Sequence, residues 1–260
     1  MRVAIRFLAG LVVLAAFMLT PMRAHAQVNP LWDHYKVYQA ISPIPPPSFP
    51  VILGDQFTPA FNHQVLQLDW FMNPVEKQIP GGPTFGINDP ITHYAWWRIS
   101  PQPFNGLVTA TNQFGDQTFN VGDAVYLLNP ALKNQQGPPP QRNHYKCYLC
   151  TGQPVNRPVI LTDQFDTWNA TVTVPRYFCN PANKQDPTGN YPIFDPNQHY
   201  VCYEYNPPDP QQFTATFTDQ FVVNAPLGLG PSPYLCVPTY KTGVTPTTRN
   251  TWGRVKTLYR

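Results

Sequence analysis

Charge is scarce in this chain: only 12% of its 260 residues are Asp, Glu, Lys or Arg. Glutamate occurs twice, as Glu76 and Glu204, and serine four times, never within G-x-S-x-G. There is no P-loop, no G-x-G-x-x-G and no H-E-x-x-H, the short motifs that mark phosphate, dinucleotide and zinc-protease sites. As a glycosidase pair the two glutamates have only their identity in common, since they sit at unrelated places. These absences point away from an enzyme and give no reason to expect a cofactor. No amphipathic helical period of any length appears. The 33 prolines argue instead for short strands joined by turns. Abundant aromatics, 14% of the chain, argue against disorder.

What is present begins with a targeting pattern over residues 1–26. Arg2 and Arg6 precede an apolar run from Phe7 to Leu19, and Ala24-His25-Ala26 stands before Gln27. A basic start, an apolar centre and an A-x-A site predict a secretory signal peptide. The apolar run is shorter than the ~20 residues a membrane span needs, and no later stretch is long enough either. The expected location is secreted, either periplasmic or extracellular, with no membrane span. Removing Arg2, Arg6 and Arg23 leaves 17 − 3 = 14 Lys+Arg against 14 Asp+Glu. A neutral mature chain has no electrostatic footprint for nucleic acid. Only the tail over 246–260 is locally basic, through Arg249, Arg254, Lys256 and Arg260.

The chain contains four copies of one unit. The third, 144–184, opens with His144-Tyr145-Lys146-Cys147-Tyr148, passes Asp163-Gln164-Phe165, and closes with Cys179-Asn180-Pro181 and Lys184. The others span 34–77, 93–133 and 199–241. From the opening His to the central Asp or Asn is 21, 19, 19 and 20 residues; from there to the closing Pro is 19, 18, 18 and 19. Pro to Lys is 3 every time. Copies two and four are each preceded by an Asp-Pro pair, Asp89-Pro90 and Asp195-Pro196, so the order reads A-B-A-B. That order predicts two tandem domains, 27–137 and 138–245, each made of two half-repeats.

Within a unit the opening motif alternates in the manner of a half-buried strand, with Tyr145 and Cys147 on one face. Val159 to Phe165, and Ala170 to Val174, read as further strands. The predicted class is all-β: small antiparallel sheets in sandwiches or open barrels, disulfide-stapled in the second domain.

Five cysteines in an exported chain suggest disulfides. Cys147 and Cys202 share one place in the repeat, and Cys179 and Cys236 share another. In copies one and two both places turn apolar together, as Val37 with Met72 and Trp96 with Leu128. Positions that change together in this way touch, which predicts Cys147–Cys179 and Cys202–Cys236. Cys150 is left over as a free thiol, or as one that joins two chains into a covalent dimer. A redox or zinc reading of Cys147-x-x-Cys150 lacks a second CxxC.

His34, His93, His144 and His199 each open a unit, and Asp55, Asp163 and Asp219 hold its centre. As metal ligands they would gather at one place; as repeated structural hydrogen-bonding groups they would each stay in their own unit. The structural reading is favoured, with no metal expected, because a unique site appears once. Trp96, Trp97, Trp168, Tyr203 and Tyr205 offer aromatic platforms for an extracellular protein or polysaccharide. Asn169-Ala170-Thr171 is a glycosylation sequon.

The His-Tyr-x-Cys-Tyr opening, the Asp-Gln-Phe centre and the Leu-Cys-x-Pro-x-x-Lys closing of Leu235 to Lys241 resemble a repeat of unknown function from secreted bacterial proteins. The resemblance covers nearly all of 33–241, although copies one and two lack the cysteine pair. It implies export and repeat architecture, and no activity. The expected function is a secreted, non-enzymatic binding or structural module. A metal-dependent protein using the His/Asp positions and a glycan-binding module are the alternatives.

Overall fold

The computed structural model describes residues 29, 31–134 and 140–246. The expected signal peptide, and the tail residues after 246, lie outside them. Among the described residues, sixteen strands follow the repeat. Unit one supplies β1 (His34–Gln39), β2 (Val51–Asp55), β3 (Phe61–His63) and β4 (Val65–Gln78), followed by β5 (Thr84–Phe85). Unit two supplies β6 (His93–Gln102), β7 (Gly106–Asn112) and β8 (Gly115–Lys133). Unit three supplies β9 (His144–Thr151), β10 (Arg157–Thr162) and β11 (Thr167–Asp186), followed by β12 (Gly189–Tyr191). Unit four supplies β13 (His199–Asp209), β14 (Phe213–Thr218), β15 (Ala225–Leu229) and β16 (Ser232–Pro246).

In every unit the opening strand pairs antiparallel with the closing strand: β1 with β4, β6 with β8, β9 with β11, β13 with β16. Each closing strand also pairs with the next opening strand, and β16 returns to β1. The eight strands therefore close into one up-and-down barrel, which leaves none of them an open edge. The class is all-β, as the repeat predicts, but the halves 27–137 and 138–245 do not form separate sheets. β8 of the first half pairs with β9 of the second, so the boundary runs through a continuous sheet. A unit's outer edges are satisfied only by its neighbours, and one unit's sequence does not reveal which neighbours those are.

The barrel interior is filled, in layers. At one end Tyr35, Tyr94, Tyr145 and Tyr200, one from each unit, meet edge to face in a closed ring. Their centroids lie 5.2 to 5.7 Å apart at 71° to 83°. The middle layer is four cross-strand pairs: Val37 opposite Met72, Trp96 opposite Leu128, and the disulfides Cys147–Cys179 and Cys202–Cys236. The co-varying positions touch because they face each other across paired strands. At the other end sit Trp70, Tyr126, Tyr177 and Tyr234, again one per unit. Trp96 bridges down to this layer, 5.5 Å from Tyr126 and 5.4 Å from Tyr177. A lumen packed in this way is a core, not a channel.

Between opening and closing strands each unit projects a hairpin, and that hairpin lies on the barrel exterior two units away. β10 of unit three pairs with the end of β4 in unit one, and β2 of unit one with the end of β11 in unit three. β7 pairs with β16, and β14 with β8, in the same register. Two apolar clusters fill the space beneath: one includes Val108, Phe119, Tyr148 and Tyr203, the other Tyr38, Leu53, Trp97 and Phe217. The A-B-A-B order has a local cause. Asp33, just before the first opening His, accepts backbone N–H bonds from Asn88 (2.6 Å) and Asp89 (2.7 Å). Asn143, its counterpart in unit three, accepts from Phe194 (2.8 Å) and Asp195 (2.9 Å). Each A unit thus ties down the Asp-Pro loop leading into the B unit that follows it.

Candidate functional site

The repeated histidines stay apart and are buried. His34 bonds through Nε2 to the Gln113 side-chain amide, and His144 through Nε2 to Gln220, 2.9 Å away. His93 and His199 instead use Nδ1 toward the carbonyls of Ile91 and Asn197, both at 2.8 Å. Burial, aided by Lys133, Lys184 and Lys241 respectively, lowers His93 and His144 to about 3 and His199 to about 4. These rings are neutral at pH 7. Among the described residues no three His, Cys, Asp or Glu side chains approach closely enough to hold a metal ion.

The central acids brace the hairpin tips. Asp163 caps its own turn through the N–H of Phe165 (2.9 Å) and accepts from Tyr38 (2.7 Å) and Asn73 (3.0 Å) of unit one. Asp55 accepts from Tyr148 (2.9 Å) and Asn180 (3.0 Å) of unit three. Asp219 accepts from Trp97 (2.7 Å) and Asn129 (3.3 Å) of unit two. In the fourth such contact the acid is Asn112 and the expected asparagine is Val237; Asn112 donates instead to the hydroxyl of Tyr203, 2.8 Å away. The closing lysines complete the brace. Lys77, Lys133, Lys184 and Lys241 lie over Phe114, Phe165, Phe221 and Phe57, each the central Phe of the next unit around the ring, at 4.2 to 5.0 Å. In each copy the opening His and the central Asp or Asn are hydrogen-bonded to neighbouring protein groups.

Two expectations require correction. Trp96, Trp97, Tyr203 and Tyr205 are buried. Only Trp168 among the expected platforms keeps part of its surface, with its Nε1 donating to the carbonyl of Pro207 (2.9 Å). The alternation in Trp96-Trp97 puts one ring in the lumen and the other outward, and a hairpin covers the outward one. Cys150 is a free thiol, but it is 4% exposed within a core cluster, and burial pushes its ionisation up. The fold gives it no route to a second chain.

The barrel mouth is formed by Trp70, Tyr126, Tyr177 and Tyr234, of which Trp70 and Tyr234 are half-buried and keep some accessible surface. The four are held by one another. Trp70 meets Tyr234 at 5.1 Å and 74°, Tyr234 meets Tyr177 at 5.5 Å and 84°, and Tyr177 meets Tyr126 at 5.5 Å and 80°. Trp70 Nε1 closes the circuit by donating to the Tyr126 hydroxyl, 3.2 Å away. Around this floor the repeats cease to agree. The residue five places after the opening His is Gln39, Arg98, Leu149 and Glu204 in turn. Arg98 Nε donates to Asp69 (2.7 Å), and on the opposite side Arg176 Nε donates to Glu204 (2.6 Å). Tyr126 also donates to Asp69, 2.9 Å away. Between β4 and β6 the mouth deepens into a cleft of about 200 Å³ lined by Gln39, Gln67, Asp69, Trp70, Arg98 and Tyr126. Gln39, Gln67, Asp69 and Arg98 do not agree between copies, and that disagreement is their only signal in the sequence.

A family model described as a repeat of unknown function (DUF7450) matches residues 93–238, which is 146 of the 260 residues. The chain belongs to this repeat family. The matched stretch runs from the opening His of unit two to the closing Pro of unit four. No curated protein and no solved structure matches the chain.

Proposed function

We propose that this member of the repeat family is an exported, non-enzymatic binding module whose ligand-contacting surface is the aromatic mouth of the barrel. One observation carries the reading. The repeated His, Asp and Lys positions are consumed in holding the barrel together, whereas at the mouth two half-buried aromatics, Trp70 and Tyr234, adjoin polar side chains that do not repeat. A fixed aromatic floor ringed by a few polar groups suits recognition, because little freedom is left to lose on binding. Export is supported by the signal-like residues 1–26 and by two disulfides, which fit an oxidising compartment. The metal-dependent alternative finds no converging ligands among the described residues. The glycan alternative keeps its chemistry but moves from Trp96 and Trp97 to Trp70 and Tyr234.

The test is capture of material from the envelope polysaccharide and secreted-protein fractions of the exporting cell by immobilised, oxidised mature protein. Trp70→Ala and Gln67→Arg, with the circular dichroism of the parent protein, should each lose the captured material. Equal capture by parent and both variants would overturn the mouth as the binding surface.

A further inference from the structure

We infer that the cleft between β4 and β6 is a subsite for one pyranose ring of a neutral polysaccharide, an assignment that rests on the mouth being the binding surface. Size is the first reason. A cleft of about 200 Å³ displaces roughly six or seven waters at ~30 Å³ each. That is the scale of one sugar ring, and it is below the ~300–1,000 Å³ of sites for larger organic ligands.

Chemistry is the second reason. A sugar ring offers vicinal hydroxyls, each both donor and acceptor, and at least one face of C–H groups. The cleft has the complementary pieces. Gln39 and Gln67 are exposed amides able to donate and accept. Gln67 spends an N–H on Asp69 and so presents its carbonyl. The indole N–H of Trp70 is already given to Tyr126, and Tyr234 packs edge to face against the ring. The indole is therefore held at a fixed tilt in the cleft wall.

Charge is the third reason. Arg98, whose side chain is 48% exposed, is neutralised by Asp69, whose side chain is 7% exposed. The pair leaves the corner with no net charge, which suits a neutral ring.

The opposite corner is a built-in comparison. There the Arg176–Glu204 pair holds the same place with the signs exchanged between the two strands. Tyr177 stands for Trp70, Leu149 for Gln39 and Val174 for Gln67. A structural duty would recur at both corners, as the ion pair does. The two amides and the indole do not recur, which marks them as belonging to a job done once.

The experiment is calorimetric titration of the oxidised mature protein with cellotetraose and with chitotetraose, with tetragalacturonate as the acidic comparison. The Trp70 indole N–H resonance is followed in parallel. The expected result is saturable binding of a neutral tetrasaccharide that shifts the Trp70 resonance. Gln67→Ala and Gln39→Leu should each weaken it at least tenfold, and Leu149→Ala should leave it unchanged. Undiminished binding in both glutamine variants would overturn the assignment. So would saturation by tetragalacturonate alone, which leaves the mouth in place but removes the neutral ring. If none of the three probes shifts Trp70 while envelope capture still depends on Trp70, the sugar class falls and the mouth stands. If capture is also independent of Trp70, both fall.

Discussion

The phenol of Tyr38 donates to the carboxylate of Asp163 across 2.7 Å, although 125 residues separate them in the chain. Tyr38 belongs to the barrel wall of unit one and Asp163 to the hairpin tip of unit three, so the bond fastens a brace to the strand it crosses. The same bond recurs from Tyr148 to Asp55 and, with an indole in place of the phenol, from Trp97 to Asp219. Only at Asn112 does the chemistry change, and it changes together with its partner.

That exception yields the sharpest prediction. Asp55, Asp163 and Asp219 each receive an amide donor from the asparagine before a closing proline. Unit four has Val237 before its closing proline, and Asn112, 3% exposed, donates instead to the hydroxyls of Tyr203 and Thr239. Asn112→Asp puts a carboxylate where the second donor is missing, and should cost about 2–4 kcal/mol. Adding Val237→Asn should return at least half of the loss, giving a favourable coupling in a double-mutant cycle read from denaturant midpoints. A coupling near zero would show that the residue before the proline is not the partner.

Stability should fall as pH drops from about 6.5 toward 4. His93, His144 and His199 are lowered by burial to about 3, 3 and 4, so the folded state keeps them neutral while the unfolded chain takes up protons below 6.5. The unfolded state binds more protons across that window, and melting temperature should decline through it. The lysines act in the same direction at higher pH. Burial lowers Lys77 and Lys133 to about 7, so the folded state gains on the unfolded one as pH rises from about 7 to 10.5. A melting profile that peaked at pH 7 and fell on the alkaline side by pH 9 would contradict this.

Lys77 should be dispensable for folding. Its Nζ is buried over Phe85 and Phe114 with no hydrogen-bond partner among the described residues, whereas Lys184 has both Asp186 and Gln220. Lys77→Met should leave the protein equally stable or up to about 2 kcal/mol more stable at pH 7. The gain should shrink as pH rises from about 7 toward 10.5, because the folded amine is then neutral and the cost of removing the unfolded amine's proton falls. A loss of more than about 1 kcal/mol at pH 7 would mean that the ring contacts outweigh the desolvation.

Removing the Cys147–Cys179 bridge frees a closed loop of sequence separation 32, worth about 3.7 kcal/mol in the chain-entropy model. The lumen layer makes the replacement matter. Cys147→Val with Cys179→Met reproduces the pair that unit one places at the same level, and should be more stable than the double serine variant, which leaves two hydroxyls in an apolar lumen. Equal midpoints for the two variants would contradict the layer description.

A thiol-reactive chromogen should titrate no cysteine in the native oxidised protein and one, Cys150, after unfolding. Rapid reaction under native conditions, or a disulfide-linked dimer on a non-reducing gel, would contradict its 4% exposure.

The repeat was legible because structural duties recur: the opening Tyr, the paired cysteines and the central Asp each do one thing four times. The disulfide partners were legible through Val37 with Met72 and Trp96 with Leu128, which change together because they face each other. Barrel closure was not, since the pairing of β16 with β1 is a relation between units that no single unit encodes. The aromatic platforms were misplaced for the same reason. Trp97 sits on the outward side of its strand, and only the arrival of a hairpin from unit four buries it. Nothing within one unit singles out Trp70, Gln39 and Gln67 together; only the fold brings them to one cleft.

The crossed hairpins also constrain ancestry. Every brace reaches a unit two places around the ring, so a chain of only one A unit and one B unit contains no strand for its own braces to grip. Two such chains, side by side, would supply each other with all the missing grips and would close the same barrel. The present molecule therefore has the form of a head-to-tail fusion of two identical partners. What would be the interface of such a pair is here the interior of one chain, and the two corners of the mouth differ within it.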